Sequence, residues 1–586
     1  MAAVLMETVR ARPATPLARR HRRNLILLLA PTWGVLGLLF LWPLAMLFIG
    51  SFRTSPLSGN AGWTLQGVQR LADPHVQASF GVSILLGVVT TVAGIALATI
   101  FAFLSERSDA PFRRLIMPAM LVMYATPTLF YALGFSLLAN PFTGVLNDLV
   151  RMLTGTAMTL FNVESLAGII VVTTFRVVAF SYLFIVAGFR AIDRTLDDAS
   201  LTSGVGQFET LWRIDLPLLA PAITGAAMIT LVAGLHTFDI AIILGEPAGI
   251  RTVATQIYHI LNASLPPDFA LASLLGSLVV LIALGLGYLQ YRLLGGRSFV
   301  TVGGKGASRE PYRLGAWRWA AGAFIAGYLC VAEVAPILTL VHATLQPFPG
   351  VYGALTFVHF QRVLDAPDTQ LALTNTFILA VGVGGAGMAL AFWIAGFSQR
   401  LSHRGASALR LAATLPYAVP GVVAAIAITW GFISLPGLRQ LYGTLALMAI
   451  GLVVVIIPYA VQMAYAALAQ IAPELRQAAE LHGASRLRSF FDVTAPLVAP
   501  QFLFGWYISA VAVAGNLDVP LLLGGPGLVT VAAMVFDLSL QGKIGQAAAL
   551  LLLLLSIAIV AGLAGHLLAR LSRRMRHGGF RKGAMS

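Results

Sequence analysis

Charge is what this chain of 586 residues has least of: 38 basic and 23 acidic side chains make up 10% of it, against 58% hydrophobic residues and a mean hydropathy of +0.85. A water-soluble globular domain carries roughly a quarter charged residues, so an ordinary soluble enzyme is excluded. Cysteine is nearly absent as well. The single thiol, Cys330, lies in an apolar run without a partner, which excludes disulfides and cysteine-ligated metal sites. Lysine occurs only at 305, 543 and 582, and none of the three completes a phosphate-binding loop: Phe299 stands where the Lys305 site needs glycine, and Ile544 and Gly583 stand where the others need Ser or Thr. The net charge of +15 does not point to nucleic acid, because the basic residues sit in short loops between apolar runs and not on a folded basic face.

What the chain has is apolar segments. A helix needs about 20 apolar residues to cross a bilayer, and twelve runs qualify. Six lie near 25–49, 79–104, 115–138, 165–189, 218–243 and 269–291; six more lie near 319–343, 373–397, 411–434, 443–468, 498–522 and 546–568. The fold class read from this pattern is all-α and polytopic. The first run, at about 25 residues, is too long for the core of a cleaved signal, so it reads as an uncleaved span despite the preceding Arg19, Arg20, Arg22 and Arg23. Basic residues are retained on the cytoplasmic side of short loops. Placing both termini inside puts 30 of the 38 basic residues there. The expected organisation is a basic tail (1–24), a first membrane repeat (25–294), a flexible cytoplasmic linker (295–318), a second repeat (319–568) and a second basic tail (569–586).

The two repeats are visible directly. At an offset of 279, residues 196–247 align with 475–526 without a gap and 14 of 52 positions are identical, including Gly204 with Gly483, Pro217 with Pro496, Asp239 with Asp518 and Gly245 with Gly524. Upstream the offset is 293, pairing Pro127 with Pro420, so the first half carries an extra outer loop around 140–164. Six spans per half make the halves parallel, related by a pseudo-twofold along the membrane normal. A partner on either face is then expected to be twofold too.

The longest inner loops within the halves, 190–217 and 470–496, occupy equivalent places. Each has a helix-like stretch ending at a glycine (Gly204, Gly483), suited to a left-handed turn, then a second stretch ending at a proline. Phe208, Leu211 and Trp212, and likewise Leu487, Phe490 and Phe491, fall at i, i+3, i+4 and make one apolar face. That face either packs on the chain's own span ends or enters a groove on a partner.

These residues carry a resemblance. Asp198-Ala199-Ser200, Gly204, Ile214, Leu216 and Pro217 resemble the EAA signature (E-A-A, three residues, G, nine residues, I-x-L-P) of binding-protein-dependent ABC importer permeases. Gln477-Ala478-Ala479, Gly483, Val493 and Pro496 form a second copy, with Asp or Gln replacing Glu and Ala495 replacing Leu. Asp239 to Ile250, Thr255 to Tyr258, Pro266-Pro267-Asp268 and Val302 to Gly306 are similar to the fused, two-repeat permeases of ferric-iron importers. Relatives that carry thiamine, aminoalkylphosphonates or polyamines share the architecture.

The resemblance implies a type I importer permease fold in a bacterial cytoplasmic membrane, with no catalytic residue and no cofactor of its own. ATP and Mg would sit on a cytoplasmic ATPase homodimer, into which the two EAA loops dock, and a periplasmic or extracellular solute-binding protein would deliver the cargo. A secondary transporter of the major facilitator class also has twelve spans. It does not need twin amphipathic inner loops, and its basic loop motif is missing from Ser105–Arg114.

Ionisable groups in apolar runs mark function by default. They are Arg176, His236, Asp239, Glu333 and Asp518. Arg176 reads either as a buried pairing residue or as part of a polar path. Asp239 and Asp518 read either as caps of the turns that follow them or as two carboxylates facing each other across the pseudo-twofold, in a translocation path attractive to cations. No His, Asp or Glu cluster has the spacing of a permanent metal site.

Overall fold

In the computed structural model the described residues are 30–56, 62–192, 200, 202–263, 266–294, 311–351, 353–399, 401–525 and 527–583. Among them are ten helices long and apolar enough to cross a membrane and two helix pairs bent at a short break. The bent pairs are where the sequence predicted continuous third spans. Arg113–Ala125 turns by 101° into Thr128–Ala139, and His403–Ala418 turns by 110° into Gly421–Ile433. Proline causes both breaks. Its ring forces the preceding residue out of the helical region, and Thr126 (ψ 130°) and Val419 (ψ 113°), just before Pro127 and Pro420, are extended.

Each bent pair still carries the chain across once. Arg190 bonds Glu106 at 2.7 Å and Tyr182 bonds Ser105 at 3.0 Å, so Pro74–Glu106 and Leu166–Ala191 end on the same side. The Val163 N–H donates to Ala139 at 3.0 Å, which places the far end of the bent pair at the start of Leu166–Ala191. In the second half Leu468 lies against Gly396, bringing together the ends of Leu445–Ala469 and Pro367–Ser398. With each bent pair counted as one span, the described residues hold up to twelve spans, six per half.

The fifth spans are also shifted from expectation. Leu211–Leu235 and Phe490–Ala514 begin inside the inner loops and stop early, and Asp239–Gly245 and Asp518–Leu523 are separate short helices. The second stretch of each inner loop is therefore the first turns of the next span.

A π-turn precedes a proline at four places. Trp42, Leu216, Ala335 and Ala495 donate five residues back, to Gly37, Leu211, Cys330 and Phe490, immediately before Pro43, Pro217, Pro336 and Pro496. Proline cannot donate, and its ring crowds the carbonyl four residues back; a widened turn relieves both within a continuous helix. Pro43 and Pro336 are 293 apart and Pro217 and Pro496 are 279 apart, so the same device recurs in both halves.

The first spans are exchanged between halves. Leu36 and Phe40 bury in a second-half core with Met388, Ile428 and Leu447, while Ile325, Tyr328 and Ala332 bury among Phe101, Met120 and Tyr182 of the first half. Trp42 Nε1 fastens one exchange by donating to the Gly431 carbonyl at 2.9 Å. Small residues allow the close crossings inside each half, as where Gly234 meets Gly87. Of the interhalf linker, residues 295–310 lie outside the described residues; in the remainder Tyr312 pairs with Ser108, its N–H donates to Arg107 at 2.7 Å, and Leu314 N–H donates to Asp109 at 2.9 Å.

Candidate functional site

Two constructions lie on the pseudo-twofold: a pair of turns at one end of the bundle and a cavity between the halves.

Both turns are built by left-handed glycines, with φ of +81° at Gly204 and +84° at Gly483. At each, an N–H one residue past the glycine donates five residues back: Val205 to Ser200 at 3.1 Å, Ala484 to Ala479 at 3.0 Å. This is the hydrogen bond that ends a helix while reversing the chain. In the second half it closes the helix Pro473–Leu481, which carries Gln477, Ala478 and Ala479. In the first half Asp198 and Ala199 lie outside the described residues. Ser200 is buried and its hydroxyl meets that of Thr210 at 2.8 Å.

The apolar faces beyond the turns differ from the sequence expectation because Leu211–Asp215 and Phe490–Thr494 are π-turns, in which i, i+3 and i+4 no longer align. Leu211 packs on the chain's own core cluster, whereas Trp212 is 60% exposed. In the second half Phe491 is 61% exposed and meets Phe490 edge-on at 5.3 Å. The side chains of Phe208 and Leu487 lie outside the described residues. Pro217 and Pro496 serve as helix-start prolines after the π-turns. Leu475 and Leu481 are further exposed apolar residues on the second turn. They precede the glycine and so fall outside the i, i+3, i+4 pattern.

Two polar features here were also missed. Asp215, fully buried, pairs with buried Arg107 at 3.8 Å, tying the first turn to the end of Pro74–Glu106. At matched positions the halves carry the same i, i+4 ion pair with reversed polarity: Glu209 with Arg213 at 3.0 Å, Arg488 with Asp492 at 3.1 Å.

The cavity, about 380 Å³, is lined by both helix breaks, by Leu166–Ala191 and Leu445–Ala469, and by the ends of the fifth spans. Matched positions face it in pairs: Tyr124 with Tyr417, Phe180 with Tyr459, Thr230 with Ser509, Thr237 with Asn516 and Asp239 with Asp518. Symmetry fails at Arg176, whose counterpart is Val455, and at His236, whose counterpart is Gly515. Arg176 donates to the carbonyls of Met123 and, at 2.8 Å, Tyr124, and its guanidinium lies 5.7 Å from the Tyr124 ring centroid. Those carbonyls end Arg113–Ala125, where the helix lacks further N–H partners and its dipole favours a cation. Arg176 thus holds one helix break in place and lines the cavity as well.

Asp239 and Asp518 open their short helices without side-chain capping bonds, and both line the cavity at matched positions. In the turn after Asp239, Glu246 is held by Arg251 at 2.8 Å. No Cβ would fit at Gly421 against the Asp518 carboxyl. Asp239 Oδ1 and His236 Nε2 are buried without a hydrogen-bond partner among the described residues, and both residues line the cavity. Glu333 is elsewhere. It accepts from Tyr131 Oη at 2.6 Å, where the exchanged first span of the second half meets the bent pair of the first. Among the described residues no trio of His, Cys, Asp or Glu is grouped to hold a metal ion.

Comparison with known proteins agrees with this architecture. The family described as "Binding-protein-dependent transport system inner membrane component" matches residues 91–297 and 387–577, once in each half. The Ferric transport system permease protein FbpB of Actinobacillus pleuropneumoniae is 26% identical over 371 residues, covering 63% of this chain and 51% of that protein. The Fe(3+)-transport system permease protein FbpB 2 of Haemophilus influenzae is 23% identical over 482 residues, covering 80% of this chain and 86% of that one. The chain spans about half the length of this Actinobacillus relative and likewise of a putative ferric transport system permease protein of Haemophilus influenzae. Among solved structures, a bacterial ABC transporter involved in alginate import aligns at 17% identity with a TM-score of 0.41, covering 48% of this chain and 99% of that one. By the two matched segments, which together take in most of its length, this chain belongs to the family of binding-protein-dependent transport system inner membrane components.

Proposed function

We propose that this chain forms the whole membrane path of an ATP-driven importer, both halves in one polypeptide, with ferric iron as the cargo. The observation that carries the reading is the matched pair of glycine-closed turns, each presenting an exposed aromatic, Trp212 or Phe491, at the same end of the bundle. A partner with two equivalent grooves fits such a pair, and an ATPase homodimer supplies them. The reversed ion pairs are neutral within themselves, so one groove chemistry serves both turns. On this reading the turns and both termini are cytoplasmic. ATP and its Mg bind the ATPase subunits, and the solute-binding protein docks on the opposite face.

The cargo follows from chemistry and from kinship. Two carboxyl groups on the pseudo-twofold of the cavity suit a cation, and relatives are named for ferric transport. Proteoliposomes holding this chain with its ATPase and supplied with iron-loaded binding protein test both levels. Iron entry that requires all three components and ATP is the expected result. Iron entry without the ATPase would overturn the importer class, while ATP-driven entry of another solute with no iron flux would overturn the cargo alone.

A further inference from the structure

The insertion that distinguishes the first half, residues 140–164, contains the helix Val145–Thr154, and this helix is built inside out. The side chains of Asn147, Asp148 and Arg151 turn inward. Asn147, fully buried, donates to the carbonyls of Asn140 (2.8 Å) and Phe161 (2.7 Å) and accepts from the N–H groups of Leu160 and Phe161 (both 3.0 Å). Arg151 donates to Pro141, Phe142 and Asp148. The apolar side chains point away: Leu149, Met152 and Leu153 share the i, i+3, i+4 face, with Met152 68% and Leu153 77% exposed. No charged residue occurs from Met152 to Val163. A helix in water has the opposite arrangement.

We propose that this helix lies flat in the headgroup region of the leaflet opposite the glycine turns, its apolar face sunk into the lipid. Connectivity sets the depth, since the insertion joins the end of Thr128–Ala139 to the start of Leu166–Ala191, where the exposed apolar belt of the spans begins. Exposed aromatics at the same end, Trp63 and Phe357 in the loops that lead into the second span of each half, mark the same level; such rings gather at membrane interfaces. Bilayer covers a surface at this depth permanently. A protein that docks and departs with each cycle meets a more polar surface, and this patch is uncharged. An amphipathic helix at an interface sinks about 5–10 Å, which takes in all three residues of the face.

Because Cys330 is the only cysteine, a Cys330→Ala background allows a single nitroxide on the full chain in phosphatidylethanolamine and phosphatidylglycerol vesicles. Labels at Leu153→Cys and, independently, Met158→Cys are compared with Leu563→Cys on the last span and Leu481→Cys at the glycine turn, both exposed. The expected result is that both insertion labels collide with oxygen in preference to a water-soluble nickel chelate, as at 563 and with the ratio reversed from 481. Ratios matching 481 would overturn the proposal. So would protection from the nickel chelate that arises only when the binding protein is added, which would make the face a protein-docking surface.

Discussion

Gly483 offers the sharpest test of the turn geometry. Its φ of +84° lies in the left-handed region, and a Cβ built there meets nothing within 4 Å. The cost of a side chain is therefore backbone strain alone, about 1–2 kcal/mol for alanine. That strain acts on the bond from Ala484 N–H to Ala479 (3.0 Å), which sets the angle between Pro473–Leu481 and the next span. A penalty of this size lowers the ratio of closed to open turn by a factor of about 5–30. If the ATPase binds only the closed turn, its affinity for that site falls by up to the same factor. Asparagine tolerates left-handed backbone better than alanine or valine, so the order of affinity is Gly, Asn, Ala, Val. Titration of the ATPase against each variant in nanodiscs, with uptake measured in parallel, checks the series. Valine binding and transporting as glycine does would refute the reasoning, and so would asparagine behaving as badly as valine, since that would implicate space and not φ.

Trp212→Ala and Phe491→Ala are each expected to weaken ATPase association by about 2 kcal/mol, roughly thirtyfold, and together to abolish co-purification nearly completely; unchanged affinity with a lowered melting temperature would mean that these rings pack on the chain itself. The purified chain should hydrolyse no ATP without its partner, and activity that saturates with ATP in rigorously pure material would contradict this. Asp518→Asn removes one of the two carboxyl groups that line the cavity at matched positions and so relieves the burial of two acids together. The melting temperature should hold or rise while uptake falls, and normal uptake would remove the pair from the path. At Gly50 an added Cβ would stand 2.6 Å from the Trp430 ring. Gly50→Ala should cost about 1–3 kcal/mol by overpacking, read as a lower melting temperature in detergent.

What the sequence determined by itself is local or periodic. Bilayer thickness dictates the length of an apolar run, so the number and order of crossings were legible, and the repeat in 196–247 and 475–526 showed two parallel halves. Gly204 and Gly483 were legible as turns because a left-handed residue at a helix end is a one-residue problem that glycine solves. The breaks at Pro127 and Pro420 and the π-turns before Pro43, Pro217, Pro336 and Pro496 have local causes too, yet hydropathy cannot separate a bent or widened helix from a straight one, because the side chains stay apolar throughout. That is why Leu211 and Trp212 were read as one face when the π-turn sends one inward and leaves the other exposed. Only the tertiary structure decided the rest. The exchange of first spans, the Arg107–Asp215 pair and the meeting of Asp239 and Asp518 in one cavity lining each bring together residues more than 100 positions apart. Those pairings depend on which helix faces fit together, and Arg176 held by the carbonyls of Met123 and Tyr124 depends on where a helix stops. Packing between segments settles both, and no window along the chain contains that information.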